Sequence, residues 1–418
     1  MTAAAKSILY VTHRFPYPPA GGAKVRAFHC LRHLAACHHV TVAAPLRTDD
    51  AAEAARGLAE AAGVTVLAEP IGRVTGLAQA LAHAGTYRPA SMGYFRSGPL
   101  LRRIARHLAD QPCDLIIVHS SSVGPAVEAA SVPKIMDFVD MDSAKWRDYA
   151  PVKRFPLSLV YAREAATLRR AEARLARRFD LCLLATAFEE QELHRIAGDD
   201  VPAAVVRNGV DLDFFAPSDM AYDPDLIAFV GRMDYFPNEQ AAVRFCDEVW
   251  PHIKARRPGA RFRIVGAAPT PPVRALAARD GVEVTGTVAD VRDHVRAAAC
   301  TVVPLKIARG TQNKILESWA MGVPVVASPV AARGVDAQPG THFLVADHAR
   351  AFVEQCLQLM GQPDTRARLS QACLAHVRQT YSWQQTLRDL DAAVARALAA
   401  QRAPGGAAAS TPAQEPLS

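Results

Sequence analysis

The chain has 418 residues, half of them apolar and 21% charged, with a net charge of +7. Such a composition suits two or three globular domains with ample core and excludes a chain disordered throughout. No apolar run approaches the roughly 18–20 residues a spanning helix needs, and MTAAAKSILYVTHRF meets charge too early for a signal peptide, so the cytoplasm is the expected compartment.

Short apolar runs alternate with helical stretches from the start: SILYVTH, a helix from about Ala23, VTVAA, an alanine-rich helix, VTVLA, DLIIVH, KIMDFVD, a long helix, LCLLAT and AAVVR. Short strands separated by helices predict a parallel sheet covered on both faces. A second series, LIAFVGR, RFRIVG, VEVTG, CTVVPL and VPVVAS, predicts another. The expected fold class is therefore α/β, with two Rossmann-like, doubly wound domains facing across a cleft. Asn, Gly, Pro and Asp gather in VVRNGVDLDFFAPSDMAYDPD, which places the junction near residue 212. The expected units are an N-terminal domain over 1–212, a second domain over 213–382, a C-terminal helix over 383–400 packing back on the first domain, and a disordered tail over 401–418.

Eight cysteines are scattered with no C-x-x-C pair, so buried reduced thiols are expected in place of disulfides or a zinc site. His29 and His33 have metal-ligand spacing but lack a Glu after His29 and a third ligand, and no metal is expected. The positive excess falls mostly in the first half, notably in YAREAATLRRAEARLARRF. That helix reads as a solvated arginine-rich face packed through Leu168, Leu175 and Phe179; contact with an anionic membrane face or a phosphate-bearing ligand is the rival reading. Aromatics are not interleaved with the basic residues and no helix-turn-helix or RNA-binding signature occurs, so nucleic acid is not an expected partner.

In open parallel sheets, ligands sit beyond the carboxyl ends of the strands, which directs attention to the residues after each strand. The first strand leads into HRFPYPPAGGAKVRAFH, with His13 and Arg14, then Gly21-Gly22, where the backbone can approach a ligand, and Lys24 and Arg26 adding positive charge. This is not G-x-G-x-x-G, and the second strand does not end in the acidic residue that would hold an NAD ribose, so no dinucleotide cofactor is expected. DLIIVH ends in His119. MDFVDMDSAKWRDYA carries Asp137, Asp140, Asp142 and Trp146 in a loop shaping one side of the cleft, with Trp146 either a sugar-stacking face or a buried structural residue. FVGRM puts Arg232 after the first strand of the second domain, where a guanidinium suits a diphosphate. CTVVPL then delivers Lys306, Arg309 and Lys314 around Gly310-Thr311, ahead of a helix containing Glu317. The helix start and three cations would neutralise a diphosphate without a metal, and Glu317 would accept from paired ribose hydroxyls. A helix capped by Thr311, with Lys314 and Glu317 as a surface pair, explains that stretch equally well.

The Gly-Gly loop, VVRNGVDLDFFAP, FVGRM and KILESWAMGVPVVAS occur in that order, and in them the chain resembles the family 4 glycosyltransferases of GT-B fold over most of its length. LYVTHRFPYPPAGGAKVRAFHCLRHLA and MDFVDMDSAKWRDYA are similar to sugar transferases associated with exosortase (PEP-CTERM) systems and exopolysaccharide loci. The resemblance implies transfer of a hexosyl-type group from a nucleotide-sugar donor, with retention of configuration, to a glycan or lipid-linked sugar acceptor. It implies no metal and no cofactor beyond the co-substrate, and a cytoplasmic protein or one peripheral on the inner membrane face. Arg232, Glu317 and His119 correspond to the diphosphate arginine, the ribose glutamate that is second in an E-x7-E motif, and a histidine beside the donor sugar. The expected donor-binding set is Gly21, Gly22, Arg232, Lys306, Arg309, Gly310, Thr311, Lys314 and Glu317; the expected acceptor side is His13, Arg14, Lys24, Asp140 and Trp146. Arg309 stands where the motif has its first glutamate, so the sugar is held differently or carries negative charge. Asn238 and Glu239 stand where a second basic residue is usual, and its charge falls to Lys306, Arg309 or Lys314. A nucleotide-sugar epimerase of the same architecture, or a non-catalytic nucleotide-sugar- or glycan-binding scaffold in a polysaccharide assembly complex, are the rival readings.

Overall fold

The computed structural model describes residues 4–19, 21–47 and 51–400, and the tail expected over 401–418 lies outside them. The apolar runs form two all-parallel sheets. In the first, β1 (Ser7–Thr12), β2 (His39–Leu46), β3 (Thr65–Pro70), β4 (Leu115–His119), β5 (Lys134–Val139), β6 (Leu181–Leu184) and β7 (Ala203–Val205) lie in the order β3-β2-β1-β4-β5-β6-β7. In the second, β8 (Asp223–Val230), β9 (Arg261–Val265), β10 (Val282–Gly286), β11 (Ala298–Val303), β12 (Val325–Ala327) and β13 (Leu344–Val345) lie in the order β10-β9-β8-β11-β12-β13. Every residue of β4, β6 and β11 is buried, because helices cover both faces; this is why these strands read as unbroken apolar runs. The two-residue β13, only partly buried, was not expected from sequence.

Both sheets reverse their winding at a central pair of strands, β1 beside β4 and β8 beside β11. At such a reversal the flanking connections run to opposite sides and leave a crevice at the carboxyl ends of the strands. His13 and His119 therefore emerge at one crevice, and Gly231-Arg232 and the 304–311 loop at the other.

The final helix, Trp383–Ala400, returns to the first sheet: Leu390, Ala393, Val394 and Ala397 enter the core built on β1, β2 and β4. His29 and His33 serve this contact, His29 stacked on Trp383 at 4.0 Å and His33 paired with Asp391 at 2.8 Å. In the arginine-rich helix Leu157–Ala176, Leu168 and Leu175 are buried, but so are both of its acids. Glu164 accepts from the Ala90 and Ser91 amides and Glu172 from the Ser143 amide, so they tie helix starts down and do not offset the exposed arginines. All eight cysteines are free thiols. Among the described residues no helix is long and apolar enough to cross a membrane.

Candidate active site

Two helix starts meet between the sheets. Gly21, with φ of 86°, precedes the helix Gly22–Ala35, and Gln312 precedes the helix Asn313–Ala320; neither start has a side-chain cap. A Cβ on Gly22 would lie 3.2 Å from Asn313 Nδ2, so the bare glycine lets the two starts come this close. Each start presents unpaired backbone N–H groups and about half a positive charge. Gly21, Gly22, Asn313 and Glu317 line one cavity of about 350 Å³. Thr311 does not cap the second helix: its Oγ1 is buried without a partner, which sets aside the capped-helix reading.

Behind that start, burial lowers the Lys314 ammonium to about 8 and raises the Glu317 carboxyl to about 7, each opposed by the charge of the other. Lys314 Nζ donates to Asn238 Oδ1 at 2.6 Å, and Asn238 Nδ2 donates to the Arg232 carbonyl at 2.9 Å. The cation missing around positions 238 and 239 is thus delivered from the other side by Lys314. Arg232 itself leaves β8 with its side chain exposed and paired to Asp234 at 2.6 Å.

Of the expected donor set only Gly21, Gly22 and Glu317 line this cavity; Arg232, Lys306, Arg309, Gly310, Thr311 and Lys314 do not, which corrects the expectation that one cavity gathers the whole set. Gly310, at φ 57°, turns the loop so that Arg309 faces the first domain. Its Nε donates to Asp148 Oδ2 at 2.7 Å and its Nη1 lies 3.6 Å from Glu189 Oε1, with the side chain only 8% exposed. Lys306 is exposed and lines, with Arg309 and Gly310, a separate cavity of about 550 Å³. Two carboxylates already neutralise the Arg309 charge.

Arg26 is a second correction. It is buried, not aimed at a ligand: Nε and Nη2 clamp the Asp137 carboxylate at 3.0 and 3.1 Å, and Nη1 donates to the Val206 carbonyl at 2.9 Å. The same carboxylate lies 3.0 Å from His119 Nδ1, because β4 and β5 pair His119 with Asp137 in register. Burial alone would raise the Asp137 carboxyl, but Arg26 and the His119 contact hold it well below the usual carboxylate range. An ionised Asp137 assigns the proton to His119 Nδ1 and leaves Nε2, which is buried and unpartnered, as the free ring atom. Sequence reading missed this chain of three; the one available signal was that a strand ending in His adjoins a strand carrying Asp.

His13, Arg14, His119, Asp140 and Trp146 line one cavity of about 330 Å³, whereas Lys24, the remaining residue expected on this side, is not among its walls. Burial, and then the neighbouring His119, push His13 down to about 3, so its ring stays neutral. Its Nδ1 lies 3.4 Å from the His119 carbonyl. Burial, followed by the charges of Glu189 and Asp142, raises Asp140 to about 7, and its Oδ1 has no partner. A Cβ on Gly310 would overlap the Asp140 carboxyl, so the glycine of the second domain packs directly on this acid of the first. Trp146 is half-buried and meets Tyr161 edge-on at 4.8 Å, which leaves part of its surface on the cavity.

Two family models match the chain: "Glycosyl transferase 4-like domain" over residues 21–209 and "Glycosyl transferases group 1" over residues 224–362, together taking in most of it. None of the curated proteins is significantly similar to it in sequence. Among solved structures it is similar to Anabaena HepE in complex with UDP, at 15% identity and a TM-score of 0.67 over 93% of this chain and 99% of that one. It is also similar to sucrose-phosphate synthase from Thermosynechococcus elongatus, at 16% identity and a TM-score of 0.71 over 94% and 100%. A glycosyltransferase from Rickettsia africae matches at 13% identity and a TM-score of 0.62 over 94% and 99%. These likenesses show the GT-B fold.

Proposed function

We propose that this chain, which belongs to the group 1 glycosyltransferases, moves a sugar from a nucleotide-sugar donor to a hydroxyl of a glycan or lipid-linked acceptor in extracellular polysaccharide assembly, with retention of configuration. The observation that carries the reading is the pair of uncapped helix starts, one from each domain, converging where Glu317 lines the same cavity. Solved HepE complexes with UDP and with UDP-glucose support a uridine nucleotide as the first donor to try.

As the bond between sugar and diphosphate breaks, negative charge builds on the leaving phosphate. The two helix starts, Lys314, and Arg232 once released from Asp234 stabilise that charge. Glu317 accepts hydrogen bonds from the ribose hydroxyls. His119 Nε2, fixed by Asp137 and Arg26, and Asp140 Oδ1 are the unpartnered buried atoms on the sugar side. The carboxyl opposite the transferred sugar is therefore supplied by Asp140, where the second domain carries Arg309, and the sugar need not be acidic. The released phosphate oxygen helps to take the acceptor proton, so the protein contributes alignment and charge and calls for no metal. The place of work is the cytoplasmic face of the membrane, within a polysaccharide locus of the exosortase-associated kind that the N-terminal motifs resemble.

Incubation with a panel of nucleotide sugars tests the reading. Nucleotide release that depends on acceptor is the expected result. Conversion of the sugar without acceptor would establish an epimerase, and binding without turnover a scaffold. Arg232→Ala abolishes turnover with the fold intact; unchanged turnover would remove Arg232 from the site.

A further inference from the structure

We propose that a cavity of the first domain holds the hydrocarbon chain of a phosphate-linked lipid acceptor, with the arginines around it taking the phosphate; this rests on the transferase reading above and deepens it. The cavity, about 620 Å³, is bounded by residues of the helices Ala90–Tyr94, Gly98–Asp110 and Leu157–Ala176. That volume is within the range of small-molecule sites, roughly 300–1,000 Å³. Met92, Phe95, Leu100, Ile104, Val123 and Ala171 give it apolar walls. None of the donor-side residues belongs to it, yet it adjoins the acceptor pocket, since Phe95 and Ser122 line both. Phe95 also meets the His13 ring edge-on at 5.1 Å.

Charge narrows the ligand. Arg88, Arg96, Arg170 and Arg174 line the same cavity against a single acid, Glu128, which Arg174 already engages at 3.1 Å. Among the described residues the side chains of Arg88, Arg96 and Arg170 make no ion pair, and all three are exposed. A guanidinium can donate two parallel hydrogen bonds to a phosphate, while apolar walls reward a hydrocarbon and nothing more polar. A bare sugar would leave the walls unused, and inorganic phosphate would do the same. An amphiphile with an anionic head uses both.

The surroundings provide a way in from a lipid surface. Tyr87, on the cavity lining, is 90% exposed, and the preceding helix Arg73–Ala84 exposes Val74, Leu77 and Leu81. Arg163 donates to the carbonyls of His83 and Arg88, tying this segment to the start of the Leu157–Ala176 helix, where Phe155, Leu159 and Val160 are also exposed. Clusters of large exposed apolar residues mark contact surfaces, and here they flank a cavity with surplus cations.

The test is calorimetry on the full chain with farnesyl phosphate below its aggregation threshold, run beside farnesol, inorganic phosphate and UDP. Farnesyl phosphate is expected to bind about tenfold or more tightly than farnesol, the scale of one charge-assisted hydrogen bond, and inorganic phosphate to give no heat. The double change Arg88→Glu with Arg170→Glu removes that advantage and leaves UDP affinity within about twofold; both sites are exposed, so folding is retained. Ala171→Phe, which fills the cavity, removes binding of both prenyl compounds; if that variant fails to fold, the charge reversal decides. Absent binding, equal binding of farnesol, or farnesyl phosphate binding unchanged by the double charge reversal overturns the proposal. UDP binding without farnesyl phosphate binding sinks the lipid site alone, whereas the reverse sinks the donor reading and leaves this site standing.

Discussion

Replacing Glu317 by Gln separates the two things that its carboxyl does. In the protein, burial holds this group near 7, with Lys314 pulling the other way, where an ordinary glutamate lies near 4.5. At ~1.36 kcal/mol per pH unit, the difference corresponds to about 3 kcal/mol at most, and roughly half of that is expected because the carboxyl borders an open cavity. The folded-state value is the higher one, so the stabilisation is complete below about 4.5 and is lost as pH rises through about 7. Glutamine stays neutral at every pH, so Glu317→Gln matches the parent at pH 4.5 and is more stable by about 1–2 kcal/mol at pH 8. Nucleotide binding moves the opposite way. Hydrogen bonds to a charged acceptor contribute about 1.5–3 kcal/mol, so UDP affinity at pH 8 falls about 10- to 100-fold in the variant, and the gap narrows below pH 6. Urea unfolding and UDP calorimetry at both pH values read the two effects. A variant that binds UDP as tightly as the parent at pH 8, or that is less stable there, would refute the assignment.

Arg309→Ala leaves Glu189 buried without its cation and costs about 3 kcal/mol at pH 8, less at pH 6, where the neighbouring Asp140, raised by burial to about 7, takes up a proton and relieves the charge beside Glu189. UDP affinity stays within about twofold, since Arg309 is outside the donor cavity; a loss of about tenfold or more on calorimetry would return it to the donor set. Gly310→Ala places a Cβ on the Asp140 carboxyl at a positive φ and lowers kcat about 100-fold while UDP still binds, and Asp140→Gly in the same chain recovers part of the fold stability seen by thermal melting. Arg26→Met strands the Asp137 carboxylate in the core, at about 3–5 kcal/mol in urea unfolding; a loss below about 1 kcal/mol would contradict the buried pair.

The sheets were legible because a strand covered on both faces is apolar along nearly its whole length, and runs such as LIIVH and LCLL, four or five residues long and alternating with helical stretches, fit strands better than buried helix segments. β13 escaped since two half-buried residues carry no pattern. The helix start before Asn313 was legible for the same kind of reason: a glycine turn, a cation and a helix leave little choice. What sequence adjacency misjudged was side. Lys306, Arg309 and Lys314 sit within nine positions, but the left-handed turn at Gly310 sends Arg309 to the first domain while Lys314 folds toward Asn238. Arg26 misled differently, because a buried arginine is indistinguishable in one dimension from an exposed one until its partner, 111 residues away, is known.

The arginine at position 309 shapes how the domains meet. Asp148, its partner, ends the helix Asp142–Tyr149, whose Tyr149 hydroxyl lies 2.8 Å from that of Tyr235, and Lys153 just beyond lies 3.4 Å over the Phe236 ring. One short segment of the first domain thus touches both loops that follow β8 and β11, the two strands at the crevice of the second. A glutamate at 309 would set a third carboxylate against Asp148 and Glu189 and push this segment away. With arginine there, Arg309 offsets the Glu189 charge and Gly310 packs on Asp140, so the carboxyl that the proposed mechanism puts on the sugar side is held by a contact between the domains. On the proposed mechanism, turnover should therefore follow the strength of the Arg309 ion pairs that hold the domains at Asp140, even though that residue leaves nucleotide affinity alone.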